Sequence, residues 1–360
     1  MNIMVDKFHV SLVAVAMAVG LTIGSGLATA DENWSDHISF SGFANANYHI
    51  TNDSAPFNGV SGQGHDDKGS FAGTNAGLNF RADISERFNF TAQFFGVEED
   101  NDFNAHFELA FATLKVTDDV DFRAGKTKLP AGLVNEYVNV GYALPWINAP
   151  AVIYSELALP GGPQVTRQAY TGVALVGNRN TGEWTFGGNL FGGEVDLDSG
   201  KLRQLYGLTL NADWNDLVQF QATYYTGEMN GITTMPAMNG QDNEAWLIGA
   251  KADWNNVVVY AEKARVEMGN ISAADRDSWY TTVGYRFGKL LPFVNYESYE
   301  RGNTDEQTTA TLGVRWDFMP SVALKAEVAR IDTDKGLGLF AAGTPSDEVM
   351  MYGLGLSTVF

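Results

Sequence analysis

The side chains that most often carry chemistry are few here and poorly placed for it. The imidazoles are His9, His37, His49, His65 and His106, with no His-x-x-x-His pair and no Glu-flanked motif among them. Ser41, His49 and His106 are types that could build a Ser–His site, but their spacing does not bring them together. Asp66-Asp67 and the run Glu98, Glu99, Asp100 and Asp102 offer oxygen ligands suited to calcium. Such runs more often form solvated loop tips. There is no cysteine, hence no disulfide and no thiolate metal site. The pairs Gly187-Gly188 and Gly192-Gly193 do not precede a helix pattern, so they form no phosphate-binding loop. No cofactor is expected.

A second set of charged residues is placed more regularly. Arg81, Asp83, Lys251, Asp253, Arg286, Arg315, Asp317, Lys325 and Glu327 each occupy the polar phase of an alternating segment. In 309–318, Ala310, Leu312, Val314, Trp316 and Phe318 alternate with Thr309, Thr311, Gly313, Arg315 and Asp317. Segment 244–254 and the stretches around Leu78–Ile84 and Trp279–Phe287 repeat the pattern. Successive side chains of a strand point to opposite faces, so each segment has an apolar and a polar side. Soluble sandwiches also alternate, but runs of about ten residues match a tilted membrane strand.

The positioning elements are therefore strands, expected near 37–50, 69–84, 88–98, 103–116, 120–127, 165–178, 183–194, 203–214, 217–228, 244–254, 257–268, 277–287, 290–301, 306–318, 321–333 and 348–360. That reading gives an all-β, antiparallel transmembrane barrel of about sixteen strands, with fourteen and eighteen as alternatives. Short connections share a signature, as in Asn211-Ala-Asp-Trp-Asn-Asp-Leu217 and Lys251-Ala-Asp-Trp-Asn-Asn-Val257, and read as tight hairpin turns. Long polar connections, 51–68, 229–243, 269–275 and 334–347, fall at the opposite end. The chain stops on an alternating run, Val349 to Phe360, expected to close the barrel against 37–50.

Composition agrees with export to a membrane. Residues 1–30 read as a cleaved signal peptide, with an apolar core from Val10 to Ile23 and a small-residue site at Ala28-Thr29-Ala30. Residues 31–360 are then one barrel domain. No other stretch reaches the ~18 apolar residues of a spanning helix. The formal charge of −20 argues against a nucleic-acid partner. The 22 Phe, 14 Tyr and 8 Trp suit aromatic girdles.

One segment breaks the pattern. Residues 128–166 contain Leu129-Pro-Ala-Gly-Leu133, Tyr142-Ala-Leu-Pro-Trp-Ile-Asn-Ala-Pro150 and Pro160-Gly-Gly-Pro163, with no long alternation. It is too apolar and aromatic for a disordered linker. Here the chain resembles the sixteen-stranded porins of Gram-negative outer membranes. The stretch Phe122-Arg-Ala-Gly-Lys-Thr-Lys-Leu-Pro-Ala-Gly132 resembles the entry to the third loop in porins related to the phosphate-selective family. The resemblance implies that the loop folds into the lumen and narrows it. It also implies a homotrimer, contact with outer-membrane lipid and lipopolysaccharide, and assembly machinery that reads the strand ending in Phe360. A dense run of lysines and arginines is missing from the expected constriction, a departure from an anion-selective pattern.

Selectivity in such a pore comes from its width and lining charges, with small hydrophilic solutes or ions as cargo. The lumen is expected to receive Arg81, Asp83, Lys251, Asp253, Arg286, Arg315, Asp317, Lys325 and Glu327. The constriction is expected among Arg123, Lys126, Lys128, Glu136, Glu156 and Arg167, which flank or belong to the loop. Strict alternation sets Arg123 and Lys126 on opposite faces unless the strand bends at Gly125. Two other readings are a structural or adhesive barrel with a filled lumen and a membrane-embedded hydrolase.

Overall fold

The computed structural model describes residues 37–57, 66–99, 102–154, 169–197, 200–233, 235–340 and 345–360. The expected signal peptide, 1–30, lies outside the described residues, as do the candidates Glu156 and Arg167. The compact unit Phe40–Phe360 is built on a closed antiparallel barrel. Its strands are β1 (Ile38–Thr51), β2 (Asn75–Ser85), β3 (Phe88–Glu99), β4 (Asp102–Lys115), β5 (Val120–Lys128), β6 (Ala169–Thr181), β7 (Trp184–Leu197) and β8 (Gly200–Trp214). The second half comprises β9 (Val218–Asn230), β10 (Asp242–Trp254), β11 (Val257–Met268), β12 (Arg276–Tyr285), β13 (Leu290–Arg301), β14 (Asp305–Met319), β15 (Val322–Lys335) and β16 (Glu348–Val359). Every strand pairs with its sequence neighbours, and β1 pairs with β16 from Phe43↔Val359 to Thr51↔Met351. Closure leaves no open edge of unpaired backbone groups, which the hydrocarbon of a bilayer would penalise.

Strand boundaries follow the alternation closely. The largest departure is β2, which begins at Asn75 rather than near residue 69. Gly69 and Gly73 take positive φ values of 77° and 83°, which break the extended chain. That stretch instead folds back on β1, where His49 and Ser70 exchange both backbone hydrogen bonds. The tight turns form as expected. Asn255 and Asn256 both have positive φ, the conformation that matches the twist of a two-residue hairpin.

The two faces are inverted relative to a soluble protein. Leu190, Leu208, Leu210, Ile248, Val294, Leu312, Leu354 and Leu356 are exposed on the outside, where lipid would cover them. Asn45, Thr209, Thr223, Glu262, Thr282, Glu297 and Lys325 are buried on the inward face. The interior also holds an apolar cluster, including Tyr170, Phe191, Leu205, Tyr225, Leu247, Tyr280, Phe293 and Ile331 from the wall. Leu133, Val134, Leu144, Trp146, Val152 and Ile153 from the segment after β5 complete it.

The seam is fitted closely. Gly42 N–H donates to Phe360 O at 2.8 Å, and Phe360 N–H returns the bond to Gly42 O at 3.0 Å. A Cβ on Gly42 would lie 2.5 Å from the Phe360 ring. We therefore expect Gly42→Val to displace the ring and destabilise closure by about 1–3 kcal/mol. The fraction refolding in detergent, followed by β-sheet circular dichroism, measures this, with Tyr48→Phe on the same strand as a near-neutral control.

Candidate functional site

The segment from Leu129 to Tyr154 lies against the inward faces of β8 to β16 and β1. Pro130, Pro145 and Pro150 prevent it from pairing as a strand. It folds as two 3-10 turns, Asn135–Tyr137 and Gly141–Ala143, and one helical turn, Ala151–Tyr154. Such short turns satisfy only part of their own backbone. A buried peptide group without a partner costs about 1–3 kcal/mol, so the remainder must bond to the wall.

The wall supplies these partners largely from charged residues. Lys325 Nζ donates to Gly141 O at 2.6 Å and to Trp146 O. Arg315 Nη1 donates to Tyr142 O at 2.6 Å and Leu144 O at 2.9 Å, with its guanidinium over the Tyr142 ring. The carboxylates take the N–H groups: Glu327 accepts from Ile147 at 2.7 Å, Glu297 from Val152 at 3.3 Å and Glu262 from Leu133 at 3.1 Å. Neutral groups complete the seat. Thr209 and Thr223 both donate to Pro130 O, Gln221 to Gly132 O, and Asn45 to Asn139 O.

Aromatic contacts fix the centre. Trp146 Nε1 donates to Thr282 Oγ1 at 3.0 Å, and its ring meets Tyr260 and Tyr280 edge-on. Tyr154 OH donates to Glu262 at 2.6 Å. Burial first, and then the Glu262 charge, raise the Tyr154 hydroxyl well above the ordinary phenol range, so it stays a donor. Burial likewise raises Tyr137, with Tyr260, Glu136 and Glu262 adding to the effect; its oxygen accepts from Lys251 Nζ at 3.2 Å.

Of the residues expected to line open lumen, Lys251, Arg315, Lys325 and Glu327 do point inward but are engaged by the segment. Lys325 is 1% exposed and is a structural anchor instead of a pore-surface charge. The remaining expected charges pair within the wall near the short-turn rim. Arg81 bonds Asp83 at 2.9 Å, Arg286 bonds Asp253 through both nitrogens at 2.8–3.1 Å, and Arg315 also holds Asp317 at 2.7 Å. Each positive charge is thus neutralised within a few ångströms.

Among the constriction candidates, Lys128 is buried and paired with Glu108, which also accepts from Asn139 of the segment at 2.8 Å. Lys126 is half-buried, and its amine reaches Phe107 O at 3.4 Å. The chain bends at Gly125, with φ 130°, while the β4–β5 register continues unbroken. Arg123 packs over Phe111 at 5.8 Å, and its Nε has no hydrogen-bond partner among the described residues. Glu136 is exposed on the segment, and Tyr170 lies within electrostatic reach of both Arg123 and Glu136.

Sequence reasoning missed Glu108, Glu262 and Glu297. Glu108 occupies a β-bulge opposite Gln93 and Phe94, where alternation fails. Glu262 is an inward carboxylate directly opposite Tyr280, and a lone acid in the apolar phase of Val257–Met268 was the available signal.

Lys325→Met removes the donor for two buried carbonyls, and each one left unpaired costs about 1–3 kcal/mol. We expect 129–154 to become several-fold more susceptible to limited proteolysis in the folded barrel. Arg81→Gln, at an exposed rim pair worth about 0–1 kcal/mol, is expected to leave the cleavage rate unchanged.

Residues 13–336 match the family model described as Gram-negative porin. No curated sequence matches the chain. Among solved structures it is similar to an anion-selective porin from Comamonas acidovorans, with TM-score 0.66, 13% identity, and 90% of this chain and 99% of that one covered. It is also similar to OmpF of Salmonella typhi in complex with daunomycin, with TM-score 0.64, 15% identity and 91% and 99% coverage. For outer-membrane expressed OmpT of Vibrio cholerae the TM-score is 0.58, at 14% identity and 90% and 97% coverage. With a sixteen-stranded closed barrel and a match spanning most of its length, the chain belongs to the Gram-negative porin family, as an outer-membrane channel for passive diffusion of small solutes.

Proposed function

We propose that the segment 129–154 narrows the channel and that solutes pass between it and the wall of β2 to β7. The observation that carries this reading is the seat itself. The segment bonds to β8 through β15 and to β1, and reaches β4 only through Asn139 and Glu108, which supports a water path on the side of Arg123, Asn79, Asn89 and Asn189. Arg123 on β5 and Glu136 on the segment then face the path with opposite charge, while the rim pairs add little net field. Transport needs no covalent step, and we read the protein as non-catalytic.

We also propose a homotrimer. The Vibrio cholerae OmpT has a structure described as a trimer form. In this chain, β2 to β5 contain no Trp or Tyr, and their outer face presents Leu78, Ile84, Phe94, Phe103, Phe107 and Leu114. Strands β7 to β14 carry Trp184, Tyr206, Tyr224, Trp246, Trp279, Tyr296 and Trp316, the amphipathic aromatics that sit at a lipid–water interface. A face lacking them is suited to a neighbouring subunit.

Arg123→Gln is expected to lower the anion-to-cation permeability ratio roughly two- to fivefold, the effect of ~0.5–1 kcal/mol at one charge. Reversal potentials in asymmetric salt measure this; an unchanged potential would remove Arg123 from the constriction. Lys128→Met, which disrupts a buried pair, is expected to destabilise the barrel without shifting the potential in molecules that fold. Phe107→Asp places a charge on the proposed subunit face, and native mass measurement in detergent is expected to show monomers in place of trimers.

A further inference from the structure

The inward residues of β6, β7 and β8 form a patch that holds four carboxamides among nine residues. In cross-strand order, Asn180, Thr185 and Asp213 make one row, Asn178, Gly187 and Asn211 the next, and Val176, Asn189 and Thr209 a third. Gly187 is the floor of the patch. A Cβ there would lie 2.1 Å from Asn211 Oδ1 and 2.6 Å from Asn178 Oδ1, so two amides lean over the glycine from its two neighbouring strands. Thr185 donates to Asn180 at 2.8 Å, and the Asp213 carboxylate accepts the Asp216 N–H at 2.8 Å. Asn189 Oδ1 is buried and has no hydrogen-bond partner among the described residues. Asn178 and Asn180 are exposed, and Asn211 is half-buried.

This composition selects a class of ligand. A carboxamide presents two donors and an acceptor without formal charge, and a sugar hydroxyl both donates and accepts. An ion here would meet one acid already holding a backbone N–H and no cation within the three rows. The glycine lets the Asn178 and Asn211 amides close over the backbone side by side, where a side chain at position 187 would push them apart. Polar groups placed to bond to hydroxyls favour such solutes over ones that cannot bond to them.

We infer that the patch around Gly187, formed by Asn178, Asn180, Asn189 and Asn211, binds uncharged, hydroxyl-rich solutes of monosaccharide size as they cross the channel. The inference rests on the water path proposed above and names the cargo class for which that path has affinity. In planar bilayers, glucose added to the purified protein is expected to reduce the ion current saturably. A size-matched polyethylene glycol, which has acceptors but few donors, is expected to reduce it only in proportion to concentration. Asn178→Leu with Asn211→Leu should raise the half-saturating glucose concentration about tenfold, which corresponds to ~1.4 kcal/mol, with open conductance retained. Gly187→Ala, which crowds both amides, should act in the same direction and provides a second variant should the double one fail to fold. Equal, non-saturating effects of glucose and the glycol on the unaltered protein would overturn the inference, as would saturable block unchanged in the variants. Absence of any conductance would count against the proposed water path instead. Calorimetric titration of glucose into the solubilised barrel would then decide the patch alone, heat of binding supporting it and no heat overturning it.

Discussion

A folded segment inside a water-filled barrel needs partners for its backbone, and meeting that need with charged wall side chains is the constraint on which the rest of this structure depends. Lys325 and Arg315 take carbonyls from Gly141 to Trp146, while Glu262, Glu297 and Glu327 take N–H groups from Leu133 to Val152. Cations thus take the segment's carbonyls and carboxylates its N–H groups. Bonds to charged groups are worth about 1.5–3 kcal/mol each, which suits a segment that lacks regular secondary structure. Trp146 and Ile153 add burial in a cluster shared with Tyr280 and Phe293, so the lumen contains a small conventional core.

That arrangement changes what a charged residue on a porin wall means. Four of the expected lumen residues serve the segment, and Arg81, Asp83, Arg286, Asp253 and Asp317 are paired along the wall. The net charge of −20 therefore says little about the field at the narrowest point. On the path proposed above, Arg123 and Glu136 are the groups that would set the field.

Barrel architecture was legible because a period of two repeats over many residues of each strand. Each of Leu312, Val314 and Trp316 reports the same face, so boundaries fell within a few residues except where Gly69 and Gly73 turned the chain before β2. The segment was legible only as an exception, through its prolines and aromatics. Its partners were not, because alternation gives a direction and no depth. Lys325 and Arg81 both read as inward charges, yet one is buried beneath Trp146 and the other sits at a solvated rim. Glu108 was hidden for a different reason: a bulge moves a side chain out of phase, and phase was the only evidence available.

The segment touches both sides of the seam between β1 and β16. Asn45 on β1 holds Asn139, and Lys325 on β15, next to β16, holds Gly141 two residues further on. Those two partners come within reach of one short stretch only after the sheet has become a ring. The segment therefore acts as a buckle whose fastening depends on prior closure. A chain that closed with a strand missing or a register slipped would leave the buckle undone.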